Sequence, residues 1–169
     1  GPSAMLFMTD DPLAFVRYHR SRKDDVRGVM GKADNLREGV SPQTDELAST
    51  LMGDALDLLA AGEAFEVLLA VQDSSGEVLS FQFVDDGPEA CLEGARGKVR
   101  ELEDAVRYAL AYEGAIEDDD GSYADAVILE FGERGYRSYS AFSLIDGKGS
   151  GDGFTWTDPA PAGELPPLL

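Results

Sequence analysis

The sequence predicts an α+β fold: one mostly antiparallel sheet of about five strands with helices packed on one face, in the order α-α-β-β-α-β-β-β. Three observations carry that expectation. Residues 41–62 repeat leucine, methionine and alanine at helical spacing between a Ser-Pro start and a glycine stop. Two short runs, Phe65–Val71 and Val78–Val84, alternate with a period of two around Asp73-Ser74-Ser75-Gly76. After one further helical stripe, the remaining apolar runs are joined by Asp-Gly and Gly-rich turns too short for parallel crossovers.

The elements follow in order. Gly1-Pro2-Ser3-Ala4 before Met5 reads as a tag remnant, so residues 1–8 are expected to be an unstructured terminus. Asp10-Asp11-Pro12 then offers an N-cap with proline at the first helical position. A loosely attached helical segment is expected over residues 9–40, mixing apolar residues with Arg17, Arg20, Arg22 and Lys23. Ser41-Pro42 starts the clearest helix, with Leu47, Leu51, Ala55, Leu58 and Ala48, Met52, Leu56, Leu59 on its apolar stripe and Gly62 at its end.

In the hairpin that follows, Leu79, Phe81 and Phe83 alternate with Val78, Ser80 and Gln82, one set toward a core and one toward water. Asp86-Gly87-Pro88 opens a third helix, to about Asp104, whose stripe is Leu92, Ala95, Val99, Leu102 and Val106. A meander of three strands comes next: Tyr108–Ile116, Ala126–Phe131 and Tyr139–Ile145. The globular domain is expected to span 9–157, and the four prolines of residues 158–169 predict an extended tail.

Composition narrows the function classes. The chain has 169 residues and a formal net charge of −19. Residues 1–40 hold seven bases against six acids, so the excess lies in residues 41–169, with seven bases against 27 acids. Such a field repels a phosphate backbone and attracts a basic protein, so no nucleic-acid partner is expected. Cys91 and His19 are the only cysteine and histidine, which excludes disulfides within the chain and imidazole clusters. No apolar run approaches the roughly 20 residues that span a bilayer, so no membrane partner is expected. A reducing, cytoplasmic setting is the simplest inference from the cysteine count.

No catalytic, cofactor or metal motif is complete. Glu117-Asp118-Asp119-Asp120 with Asp125 suggests a calcium loop, but counting from Asp118 puts Tyr123 where glycine is needed and Leu129 where glutamate is needed. An acidic Asp-Gly hairpin turn explains the same residues. Gly147-Lys148-Gly149-Ser150 fails as a phosphate loop, because Gly149 follows the lysine and no helix is expected after it. Glu130 interrupts the most apolar strand on the side of Ile128, and it is expected to face water rather than a helix. No catalytic residue, cofactor or metal is therefore assigned.

The layout resembles, in outline, small acidic bacterial proteins, some of which are immunity proteins that neutralise a toxin; no motif carries that likeness. The expectation for function is an acidic protein-binding module, with the immunity-type inhibitor of a basic partner protein as its specific form. The expected surface is Glu117, Asp118, Asp119, Asp120 and Asp125 together with Glu130, Glu133 and Tyr136. Tyrosines among carboxylates suit a steered interface. A homo-oligomeric assembly protein and an enzyme using carboxylates with Mg²⁺ are the alternatives.

Overall fold

The computed structural model describes residues 5–7, 17–18, 36–84, 87–117 and 120–169, the first two stretches as backbone only. It is an α+β fold in which helices pack on an antiparallel sheet. The strands are β1 (Met5–Phe7), β2 (Arg17–Tyr18), β3 (Val67–Asp73), β4 (Val78–Phe83), β5 (Ala105–Glu117), β6 (Tyr123–Glu133), β7 (Ser138–Asp146), β8 (Thr155–Trp156) and β9 (Ala160–Leu165). The helices are α1 (Pro42–Ala60) and α2 (Pro88–Glu101).

The centre of the sheet is β5–β6–β7, and every pairing between named strands is antiparallel. One edge of β5 serves two partners: β3 along Ala105–Ala111 and β1 along Ala115–Glu117. Beyond β3 lies β4, and β7 carries β9 and β8 on its outer edge.

Three expectations need correction. About five strands were expected and nine are present among the described residues: β1, β2 and β8 are two or three residues long, too short to leave a periodic signal, and β9 lies in the proline-rich stretch read as a tail. Met5–Phe7, expected within an unstructured terminus, is a strand. The first helix was expected to include Arg17 and Tyr18, which instead form β2; the rest of that segment before residue 36 lies outside the described residues. The tail of residues 158–169 is extended, but it is not free. β9 pairs with Ser138–Phe142, and Arg137 holds Glu164 at 2.8 Å.

The helices also lie on opposite faces of the sheet rather than together on one. Strand alternation makes this legible in the cores. Val67, Leu69 and Val71 join Tyr108, Leu110, Tyr112 and Ile128 under α2 residues Leu92, Ala95 and Val99. The intervening Leu68 and Ala70 join Ala109, Ala111, Val127 and Leu129 under α1 residues Leu51, Met52, Ala55 and Leu59. Both faces of the central strands are therefore apolar, and such strands need a cover on each side. Cys91 is buried within the α2 core, where it acts as a small hydrophobe.

Local chemistry fixes the ends of α1. Ser41 is the N-cap, and its hydroxyl accepts from the Thr44 N–H. At the other end Gly62 takes φ +76°, with Gly62 N–H on the Leu59 carbonyl and Glu63 N–H on the Leu58 carbonyl. This is the Schellman arrangement, and only glycine enters that conformation without strain. At Gly132 a side chain is excluded by space instead, since a Cβ there would stand 2.3 Å from the Ser138 hydroxyl.

Candidate functional site

The expected surface does not come together. Glu117 and Tyr123 face each other where β5 turns into β6, whereas Glu133 ends β6. Ten residue steps separate Tyr123 from Glu133, about 33 Å along an extended strand. Asp118 and Asp119 lie outside the described residues. Asp120 is engaged in the turn itself: its Oδ1 accepts from the Ser122 N–H at 2.9 Å and hydroxyl at 2.6 Å. The Ser122 hydroxyl and N–H hold the Asp120 carboxyl below its ordinary range. Asp125 is exposed on the α1 face of the sheet.

Glu130 corrects the expectation that it faces water. It is 1% exposed and lies on the α2 face, opposite to Glu133. Arg96 of α2 donates from Nη2 to Oε2 at 2.7 Å and to Oε1 at 3.0 Å, and from Nε to Oε1 at 3.2 Å. The Tyr112 hydroxyl donates to Oε2 at 2.5 Å. A buried carboxylate requires such partners. The expectation failed because a helix covers the very face assigned to solvent.

Glu133 is engaged at the start of α1. The Ser41 hydroxyl donates to it, the Thr44 hydroxyl donates at 2.7 Å, and Arg107 Nε lies 3.5 Å away. Burial pushes its carboxyl up, but the hydrogen bonds from Ser41 and Thr44 and the positive charge of Arg107 outweigh burial and hold it below its ordinary 4.5. The folded form thus binds this proton more weakly than the unfolded chain. The resulting stabilisation is complete above pH 4.5 and is lost as pH falls through the lower folded value. Glu133→Gln is expected to cost about 1–2 kcal/mol at pH 7, and the difference from the parent should close below pH 4.5. Urea unfolding at pH 7, 5 and 3 checks this. A difference constant across that range would show that shape, not charge, is what Glu133 supplies.

Tyr136 belongs to a third neighbourhood. The Arg37 guanidinium sits 5.7 Å from its ring centroid, and the backbone of Arg37 bonds to Gly135 and Arg137. Tyr136 therefore anchors the approach to α1. Among the described residues, no cluster of three acidic, histidine or cysteine ligands is disposed around a metal.

What does lie exposed on one surface is the outer side of α1. Asp45, Glu46, Asp54 and Asp57 are all exposed, and no described residue forms an ion pair with any of them. Two grooves flank this ridge. One, of about 580 Å³, runs between α1 and the β6–β7–β9 side and is lined by Val40, Ala48, Met52, Leu129, Phe131 and Tyr139, with Asp45 and Glu164 beside them. The other, of about 380 Å³, lies toward β3 and β4 and includes Glu46, Asp54, Gln72, Val78 and Ser80.

The signal for this surface was present in the sequence as an absence. Between Arg37 and Arg96 there is no lysine or arginine, while residues 38–95 hold 13 acids. Reading α1 only as an amphipathic helix gave its polar positions no significance beyond solvation. No protein-family model, curated protein or solved structure matches the chain. No helix among the described residues is long and apolar enough to cross a membrane.

Proposed function

We propose that this chain is an acidic protein-binding module whose α1 face receives a basic partner protein. The observation that carries the reading is the pairing of charge with shape at α1. Four exposed carboxylates stand on a helix with no basic residue; Asp45 borders the apolar groove on one side, and Glu46 and Asp54 line the groove on the other. Complementary charge steers encounter, and apolar anchors in a groove supply the affinity that lasts. Carboxylates that no described residue of their own chain pairs with are suited to meet the cations of another.

The specific form of the reading is an immunity-type inhibitor, which covers the working surface of a basic toxin. A reducing cytoplasmic setting accords with a lone cysteine buried in the core. Of the expected surface, Glu117 and Asp125 serve in this reading as an outlying part of the same acidic face. Glu130 and Glu133 do not contribute, because their oxygens are engaged internally.

The test compares two charge-reversed proteins in affinity capture from a native lysate. One carries Asp45→Lys, Glu46→Lys, Asp54→Lys and Asp57→Lys; the control carries Glu89→Lys and Glu93→Lys on α2. The parent and the control are expected to retain a basic protein that the α1 variant loses. Its association rate should fall steeply as salt rises, since exposed charges are screened beyond about 10 Å at 0.1 M. Equal capture by both variants, capture indifferent to salt, or no specific capture would count against the proposal.

A further inference from the structure

We infer that β4 is the docking edge for an extended basic segment of the partner, added to the sheet as an antiparallel strand; this rests on the α1-face reading above and names how the partner is held. β4 pairs with β3 alone among the described residues, and none of them covers its outer edge with a strand. The backbone says which groups are offered there. The carbonyls of Glu77 and Phe83 accept from Asp73 and Glu66, so odd-numbered residues face β3. By the alternation of an antiparallel ladder, Val78, Ser80 and Gln82 direct their N–H and C=O groups outward.

Open edges in natural sheets are ordinarily blunted by lysine, proline or a bulge. β4 has none of these. Val78–Val84 contains no charged residue and no proline, its pairing with β3 is unbroken, and Val78 and Leu79 are 44% and 43% exposed. Strand addition to such an edge draws affinity from main-chain hydrogen bonds and specificity from alternate side chains.

The two faces specify those side chains. Val78 and Ser80 border the groove that contains Glu46 and Asp54, so residues of the incoming strand on the α1 side meet carboxylates and should be basic. On the α2 side stand Leu79, Phe81 and Phe83, with the Lys98 ammonium 5.6 Å from the Phe81 ring centroid. That cation disfavours a second positive charge, and the position calls for an apolar side chain. A second copy of this chain fits poorly, because Val78–Val84 has no basic residue to meet Glu46 and Asp54 in that groove.

The test uses a fluorescent octapeptide alternating lysine and valine, titrated by anisotropy against the whole protein. Lysines on the α1 side must present their own amides to β4, so N-methylation of the lysine amides should weaken binding roughly tenfold or more, and N-methylation of the valine amides should not. Ser80→Pro removes one outward donor while leaving the bonds to β3, and it should weaken binding similarly with an unchanged far-UV spectrum. Exchanging lysine for glutamate in the peptide should abolish binding. Equal effects of the two methylation patterns, an unaffected Ser80→Pro protein, or a stable dimer that Ser80→Pro dissociates would each overturn the inference. Should the octapeptide fail to bind while the α1 charge reversal still releases the captured partner, strand addition falls and the wider reading stands. If the reversal changes neither, both fall.

Discussion

Glu130→Ala is expected to lower stability by about 3–5 kcal/mol, the cost of leaving one member of a buried ion pair without its counterpart. Arg96 is mostly buried, with 18% of its side chain exposed, and has Glu130 on two of its nitrogens. Removing the carboxylate takes from that guanidinium its bonds to Glu130 and from the Tyr112 hydroxyl its bond to the same carboxylate. For a domain whose whole stability is about 5–15 kcal/mol, this is a large fraction. It corresponds to a fall of roughly 10 °C in melting temperature. The double replacement Arg96→Met with Glu130→Leu separates the two physical causes. Apolar groups of similar volume remove both charges together, so the double variant should recover most of the loss. Urea unfolding of the parent, Arg96→Met, Glu130→Leu and the double variant gives the coupling. A Glu130→Ala protein within 1 kcal/mol of the parent would mean that Arg96 swings into solvent at little cost.

Leu59→Ala should cost about 3 kcal/mol, within the range for emptying a fully buried leucine site. Leu59 is 0% exposed and belongs to the α1 core, whose buried residues include Phe65, Ile145 and Phe154. Its carbonyl also receives the N–H groups of Gly62 and Gly149, and that bonding is unchanged by substitution. The loss is therefore one of packing alone. Leu59→Met, which roughly conserves volume, should cost less than about 1.5 kcal/mol. Equilibrium urea unfolding of the two variants decides it; similar costs for alanine and methionine would show that the site collapses around the smaller side chain. Because α1 carries the proposed docking face, Leu59→Ala also gives a protein with a looser helix and an unaltered surface charge.

Much of the fold was legible because its main elements each repeat one strong pattern. The leucine stripe from Leu47 to Leu59 sits between Ser41 and Gly62, and both ends do in the structure what their chemistry predicts. The hairpin at Asp73–Gly76 is closed by the Asp73 carboxylate on Ser75 and Glu77, the ordinary office of aspartate in a turn. The faces were not legible. Period-two alternation states that two sides differ, but it does not say which layer covers each side. Here Leu68 and Leu69 are both core, in different cores. The same ambiguity misplaced Glu130, since nothing local distinguishes a carboxylate meeting water from one meeting Arg96, 34 positions earlier in the chain. The candidate surface was misjudged for a related reason. Four consecutive acids at Glu117–Asp120 drew notice, while the acids of α1 fall in two separate pairs, Asp45-Glu46 and Asp54 with Asp57, that join one surface only once the helix forms.

Cys91 gives the fold a built-in clock. Its thiol is buried where α2 meets the sheet, so a modifying reagent reaches it only in molecules whose α2 has lifted away. The labelling rate in mild denaturant, set against the rate of complete unfolding, measures how often one layer parts from the rest while the other stays in place. If the two rates coincide at every denaturant concentration, the layers on the two sides of the sheet come apart as one unit.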